Sequence, residues 1–256
     1  MKKYKILANR ANYGNKRKIS DISYLIIHYT ANDGDHDTNN ALYFKNNVVE
    51  ASAHEFVDDD SYTISVPANY VAWAVGGAKY SDCNTTGGGK MYGKITNDNS
   101  YSIEMCDTNP NGKIIATELT MENTAKRARA IMAKYNIPLS RVYRHFDVNG
   151  KHCPSYFMDD EAWNNFKNRL KKGKKPITAV SSQSSIPHII WLQRKLNEKV
   201  DAKIPDNGQW GSKTERGIVK AYKKYFPNNF EKLNENKQKG KVAGIGLIRK
   251  LSKIGN

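Results

Sequence analysis

Short apolar runs dominate the first part of the chain, and helical spacing dominates the last. Tyr24 to Tyr29 (YLIIHY) is apolar and β-branched, which predicts a buried strand. Asp37 to Asn47 has helical spacing, with Ala41, Leu42 and Phe44 on one side. His54 to Val57 and Tyr62 to Val66 predict a hairpin around Asp58-Asp59-Asp60. From Gly76 to Asn99 the chain is rich in Gly, Asn and Thr, which predicts a long surface loop of the kind that often carries function. Tyr101 to Cys106 (YSIEMC) reads as another strand, and Glu118 to Asn136 as a helix stopped by Ile137-Pro138. Val142 to His145 predicts a short strand. Asp159, Asp160 and Glu161 open a further helix, three acids suiting the positive end of its dipole.

Lys171 to Ser185 (KKGKKPITAVSSQSS) is charged, then Ser-rich, with almost nothing to bury; it predicts a linker. After it, Ile189, Ile190, Leu192 and Leu196 share one helical face. Ser212 and Glu215 have capping-box spacing at the start of a helix reaching about Phe226. Val242 to Ile254 predicts a last amphipathic helix. Strands mixed with helices point to an α/β or α+β first domain, residues 1–172. A linker, 173–186, leads to a smaller all-helical domain, 187–256.

Charge sharpens that division. The net charge is +16 over 256 residues. Residues 171–256 hold 20 Lys/Arg against 6 Asp/Glu, and the first 170 hold 21 against 19. A basic module suits a polyanion: nucleic acid, an anionic membrane surface or a phosphate-rich wall polymer. Lysines outnumber arginines roughly three to one, which leans away from base readout. No helix-turn-helix, zinc-finger or RNA-recognition signature is present. No apolar run approaches the roughly 18–20 residues of a membrane span. The N-terminus, MKKYKILANRANYGNKRK, has a basic start without an apolar middle, so synthesis in the cytoplasm without a signal peptide is expected. Three cysteines, Cys83, Cys106 and Cys153, suit buried thiols or metal ligands better than a disulfide framework.

His28 and His145 each end an apolar run, and Cys153 follows His145 by eight residues in RHFDVNGKHCP. Two neutral imidazoles and a thiolate make a zinc set with a fourth position left open, the catalytic arrangement. Each residue alone also reads blandly, as a strand-end histidine or a structural cysteine before proline. Glu104 lies mid-strand, a costly place for a carboxylate unless it faces a site, where it would act as general base; an outward-facing strand Glu is the alternative. Lys151 is placed to steady a developing oxyanion, or is a solvated loop lysine. Asp147 orients a ligand or forms a turn.

IIHYTA around His28, SAHEFVDDD around His54, NSYSIEMC around Glu104 and HFDVNGKHCP around His145 together resemble the ordered motifs of the type 2 N-acetylmuramoyl-L-alanine amidases. That family includes phage endolysins and shares its fold with peptidoglycan-recognition proteins. The resemblance covers about Ile19 to Leu170. It implies a mixed central sheet flanked by helices, and zinc held by His28, His145 and Cys153. It also implies hydrolysis of the bond between muramic acid and the first L-alanine of the stem peptide. Asn99 matches a family Asn that contacts peptide. Trp73 walls the groove or sits in the core. His54, near the site in the family without binding metal, stands on the substrate side or is a packed histidine. Val75 departs from the family, where many members have histidine.

WLQRKLNEKVDAKIPDNGQWGSKTERGIVKAY resembles a peptidoglycan-binding domain through Leu192, Gln193, Leu196, Asp206, Gly208, Trp210, Gly211 and Thr214. Trp210 is expected in its core. The combined expectation is an endolysin-like zinc amidase that acts on the wall after release from the cell. Its partners are peptidoglycan and anionic wall polymers, not nucleic acid. A catalytically weak recognition protein and a stem-peptide zinc endopeptidase are the alternatives.

Overall fold

The computed structural model describes residues 1–32, 34–107, 114–171 and 176–253. The chain runs through β1 (Lys2–Lys5), β2 (Tyr13–Lys16), β3 (Tyr24–Tyr29), α1 (Asp37–Asn46), β4 (Glu55–Val57), β5 (Ser61–Ile64) and β6 (Tyr70–Ala72). It continues through α2 (Cys83–Thr86), β7 (Ser100–Met105), α3 (Glu118–Lys134), β8 (Val142–Arg144), α4 (His145–Asn149) and α5 (Asp160–Leu170). Six strands form one sheet in the order β1-β5-β4-β7-β3-β8. Only β4 and β5, the expected hairpin, pair antiparallel; the other neighbours are parallel. The sheet is therefore mixed, as the family resemblance implied.

Alternation along β5 sorts the helices onto opposite faces. Ser61 and Thr63 donate to Asp37 of α1 at 2.9 and 2.7 Å. Tyr62 between them lies 4.0 Å beneath the Arg127 guanidinium of α3. With both faces covered, a central parallel strand is apolar throughout rather than alternating, which explains why Leu25, Ile26 and Ile27 are all fully buried. Thr117 caps α3 by accepting from Thr120 N.

Two local expectations change. Leu42 is exposed, because α1 buries Asp37, Asn40 and Ala41 instead. His145 is not a strand residue: β8 stops at Arg144 and His145 opens α4. The reason is Asp147, whose carboxylate accepts from Arg144 N at 2.8 Å and from its guanidinium at 2.7 Å, turning the chain into a helix.

The contacts divide the chain into Met1–Asn164 and Asn165–Asn256, a division that falls within α5. The second unit holds β9 (Val180–Ser181), α6 (Ile186–Val200), α7 (Ser212–Tyr225), α8 (Glu235–Gln238), β10 (Val242–Ala243) and α9 (Ile245–Ser252). It is not wholly helical, since β9 and β10 pair antiparallel. Val180, from the stretch read as linker, is fully buried with Leu192, Leu196, Ile218 and Leu247. Residues 172–175 of that stretch, and Ile254, lie outside the described residues. Trp210 packs half-buried against this core. The capping box does not form: Gly211 is the N-cap of α7, and Glu215 accepts from Trp210 Nε1 at 3.1 Å. No helix among the described residues is long and apolar enough to cross a membrane.

Candidate metal centre and active site

β3 and β7 pair in parallel with His28 opposite Glu104. Paired residues of a parallel ladder share a face, so an imidazole and a carboxylate meet at the same end of the sheet. His28 Nδ1 lies 4.0 Å from Glu104 Oε1. On the other side of β3, β8 pairs Arg144 with Ile27. The turn after Arg144 brings the His145 ring to 4.8 Å from the His28 ring, centroid to centroid. The chain leaves α4 through Gly150 (φ 97°) and returns, Phe146 N donating to the Cys153 carbonyl at 3.0 Å. Cys153 Sγ then lies 3.8 Å from His28 Nδ1. One donor atom from each of His28, His145 and Cys153 falls within 4.8 Å of the others, and all three residues are buried.

The long glycine-rich loop holds α4 in place. Gly89 N and Met91 N donate to the carbonyls of Phe146 and Asp147. A Cβ on Gly88 would stand 2.6 Å from the Phe146 ring, so only glycine allows this approach. Cys83 closes the same contact from the side, its Sγ donating to the Asn149 carbonyl. It is thus a packing residue, as Cys106 is, and all three cysteines are free and buried.

Burial sets the charge states. It lowers the pKa of His28, and that of His145 to about 3, so both imidazoles are neutral and able to bind metal. It pushes the Cys153 thiol up and raises Glu104 to about 8, against the pull of Lys151. Nε2 of both histidines and Oε2 of Glu104 are buried without a hydrogen-bond partner. Unpartnered buried polar atoms are rare and ask for a ligand. Two imidazoles and a sulfur beside them are the donor types zinc takes, and a cation there would favour the thiolate. The residues present therefore fit a zinc ion.

Two concavities meet at this centre. One, of about 270 Å³, is lined by His28, Glu104, His145, Cys153, Lys151 and Trp73. The other, of about 690 Å³, shares Trp73, His145 and Lys151 and runs on to Glu50 and the Gly76–Tyr80 loop. Trp73 is a groove wall, clamped to Ser52 through Trp73 N to Ser52 Oγ at 3.1 Å and Ser52 N to Trp73 O at 3.0 Å. Asn97, not singled out in the sequence, fixes the next turn by accepting from Ala74 N and Val75 N.

Two predicted substrate residues lie elsewhere. His54 is fully buried, its Nε2 2.7 Å from Arg17 Nη2 and its ring stacked on Tyr101. Asn99 ties its own turn, accepting from Thr96 N and donating to the Lys94 carbonyl. Neither lines the two concavities. Asp147 is the Arg144 partner rather than a support for a ligand ring.

The family model for N-acetylmuramoyl-L-alanine amidase matches residues 18–156. The chain belongs to this family. The matched stretch includes His28, Glu104, His145, Lys151 and Cys153. Among curated amidases, BlyA of Bacillus subtilis is 30% identical over 158 residues, covering 60% of this chain and 42% of BlyA. The chain spans about half the length of the curated relatives it matches. Among solved structures, the catalytic domain of XlyA is 26% identical with a TM-score of 0.52, covering 67% of this chain and all of that domain. A mutant endolysin from Bacillus subtilis has the same identity, TM-score and coverage.

Proposed function

We propose that this member of the amidase family hydrolyses the amide between N-acetylmuramic acid and L-alanine in peptidoglycan, as a zinc enzyme of the endolysin kind. The observation that carries the reading is the convergence of His28, His145 and Cys153 on one point, with the unpartnered Oε2 of Glu104 beside them at the meeting of two grooves. His28, His145 and Cys153 would hold the ion. Zinc bound there would supply Lewis acidity, to polarise an amide carbonyl and to acidify water.

The chain's own residues do the rest. Glu104 accepts a proton from the attacking water and delivers it to the leaving nitrogen of L-alanine. Lys151 sets its ammonium against the negative charge that develops on the carbonyl oxygen. Trp73, anchored by Ser52, walls the groove and limits how the substrate lies. The basic second unit tethers the enzyme to the wall. Two linked weak sites raise the effective concentration at an insoluble substrate. The likeness to an endolysin structure supports a role in lysing a bacterial host.

Mass spectrometry of digested sacculi tests this. Intact glycan strands and stem peptides beginning with L-alanine are expected, and none after chelation. Cuts within the stem would keep the site and change the bond. No release from several wall types would overturn the enzymatic reading.

A further inference from the structure

After α6 the chain folds back through two left-handed residues, Asp201 (φ 45°) and Lys203 (φ 51°). Asn197 fixes this return: Nδ2 donates to the Ile204 carbonyl at 2.7 Å and Oδ1 accepts from Ile204 N at 2.9 Å. Lys220 of α7 donates to the Asp201 carbonyl at 3.0 Å. Gly217 lets α7 come close, since a Cβ there would stand 3.2 Å from Ala202 Cβ. Between the return and the helix lies a formed pocket of about 190 Å³. Lys203, Lys213, Arg216 and Lys220 line it; no acidic residue does, although Lys203 Nζ lies 3.9 Å from the Asp201 carboxylate.

This grouping is unfavourable by itself. Lys213, Arg216 and Lys220 follow one another on one face of α7, and like charges at that spacing repel. Lys213 also stands in the first turn of the helix, where the dipole disfavours cations. Neither Lys213 nor Arg216 has an ion-pair partner among the described residues. Glu215 in the same turn is engaged by Lys241 at 2.8 Å and by Trp210. A bound anion removes both penalties at once.

We infer that this pocket binds the phosphate groups of a phosphodiester polymer of the bacterial wall. A polymer fits better than a lone phosphate, because Lys224, one further turn along α7 and donating to the Lys199 carbonyl at 2.7 Å, carries positive charge beyond the pocket. Lysine ammonium groups suit tracking of a phosphate backbone more than reading of bases. The inference rests on the tethering role given to this unit and names what the tether grips.

The test is co-sedimentation of the full chain with Gram-positive sacculi, with chelator present to prevent digestion. Sacculi are used before and after hydrofluoric acid removes phosphodiester polymers. Stripping should weaken wild-type binding roughly tenfold, and Lys213→Glu with Arg216→Glu should weaken binding to unstripped sacculi by a similar factor. Lys213→Ala with Arg216→Ala should shift binding in the same direction by less, with melting no lower than that of the wild type. Purified poly(glycerol phosphate) should displace the wild type. Equal binding to stripped and unstripped sacculi, or unaltered binding by the glutamate variant, overturns the inference and leaves the tether intact. Binding to neither overturns both. Displacement by double-stranded DNA but not by poly(glycerol phosphate) also overturns it.

Discussion

His28 Nδ1 and Cys153 Sγ lie 3.8 Å apart, although 125 residues separate them in the chain. That distance depends on parallel pairing of β3 with β8 and on the Gly150 turn, so it is built by the fold rather than by local sequence. It predicts a thiolate ligand. With cobalt replacing zinc, the wild type should show a near-ultraviolet thiolate-to-metal band, and Cys153→Ser should lose it. The same variant should lose activity roughly a hundredfold or more while melting as a folded protein. An unaltered cobalt spectrum would remove Cys153 from the site.

In the proposed mechanism Glu104 and Lys151 act on protons and charge, and neither belongs to the donor set. Glu104→Gln should keep one zinc per chain and lower kcat roughly 10²–10⁴-fold with little change in KM. Lys151→Ala should lower kcat roughly 10²–10³-fold. A variant that lost zinc along with activity would point to a structural role instead.

Asn12 is fully buried and spends its amide on the loop beside the groove. Nδ2 donates to the Phe44 and Asn47 carbonyls, and Oδ1 accepts from Val49 N and Glu50 N, all within 3.0 Å. Glu50 is held with φ 52°, a conformation unfavourable for a residue with a side chain. Asn12→Ala should cost about 2–4 kcal/mol in urea unfolding, from several lost hydrogen bonds. It should raise KM more than it lowers kcat, since Glu50 lines the larger concavity, the proposed substrate groove, and not the concavity at the metal centre.

Asp37 is buried against Asp58, and desolvation raises its pKa from 3.8 to about 6. The folded state therefore takes up this proton at a higher pH than the unfolded chain does. Stability from this group rises as pH falls from above 6 toward 4. Asp58, held low by the backbone amides of Ser61 and Asp60, works in the opposite sense below its usual range. Because the buried neutral imidazoles of His28 and His145 work in the opposite sense over this range, the Asp37 contribution is read as a difference: relative to Asp37→Asn, wild-type stability in urea should decline as pH rises from 4 to 6.5, by about 1–3 kcal/mol. An identical pH dependence in the two proteins would contradict the assignment.

Much of this was legible in the sequence because chemistry and pattern coincided. His28 and Glu104 both fall inside apolar runs, where a polar side chain is costly unless it faces a site. The hairpin, the mixed sheet and the main helices follow from apolar spacing and from the resemblance. What failed to show depends on tertiary partners. His145 reads as a strand end because its helix exists through the Arg144–Asp147 pair. His54 and Asn99 sit inside family motifs, but Arg17 and the Lys94–Thr96 turn hold them away from the groove. Asn12 and Asn97 carry no local signal, since an asparagine that organises a distant loop looks like any loop asparagine. Val180 hid in a Ser-rich stretch because a two-residue strand leaves no periodicity to read.

The most direct test of the central claim is a zinc titration of metal-stripped protein on purified sacculi, counting newly exposed L-alanine amino termini. Release should rise with added zinc, level off at one equivalent per chain, and be absent in Cys153→Ser. Undiminished release from the metal-free protein, or no L-alanine termini at full zinc loading, would contradict it.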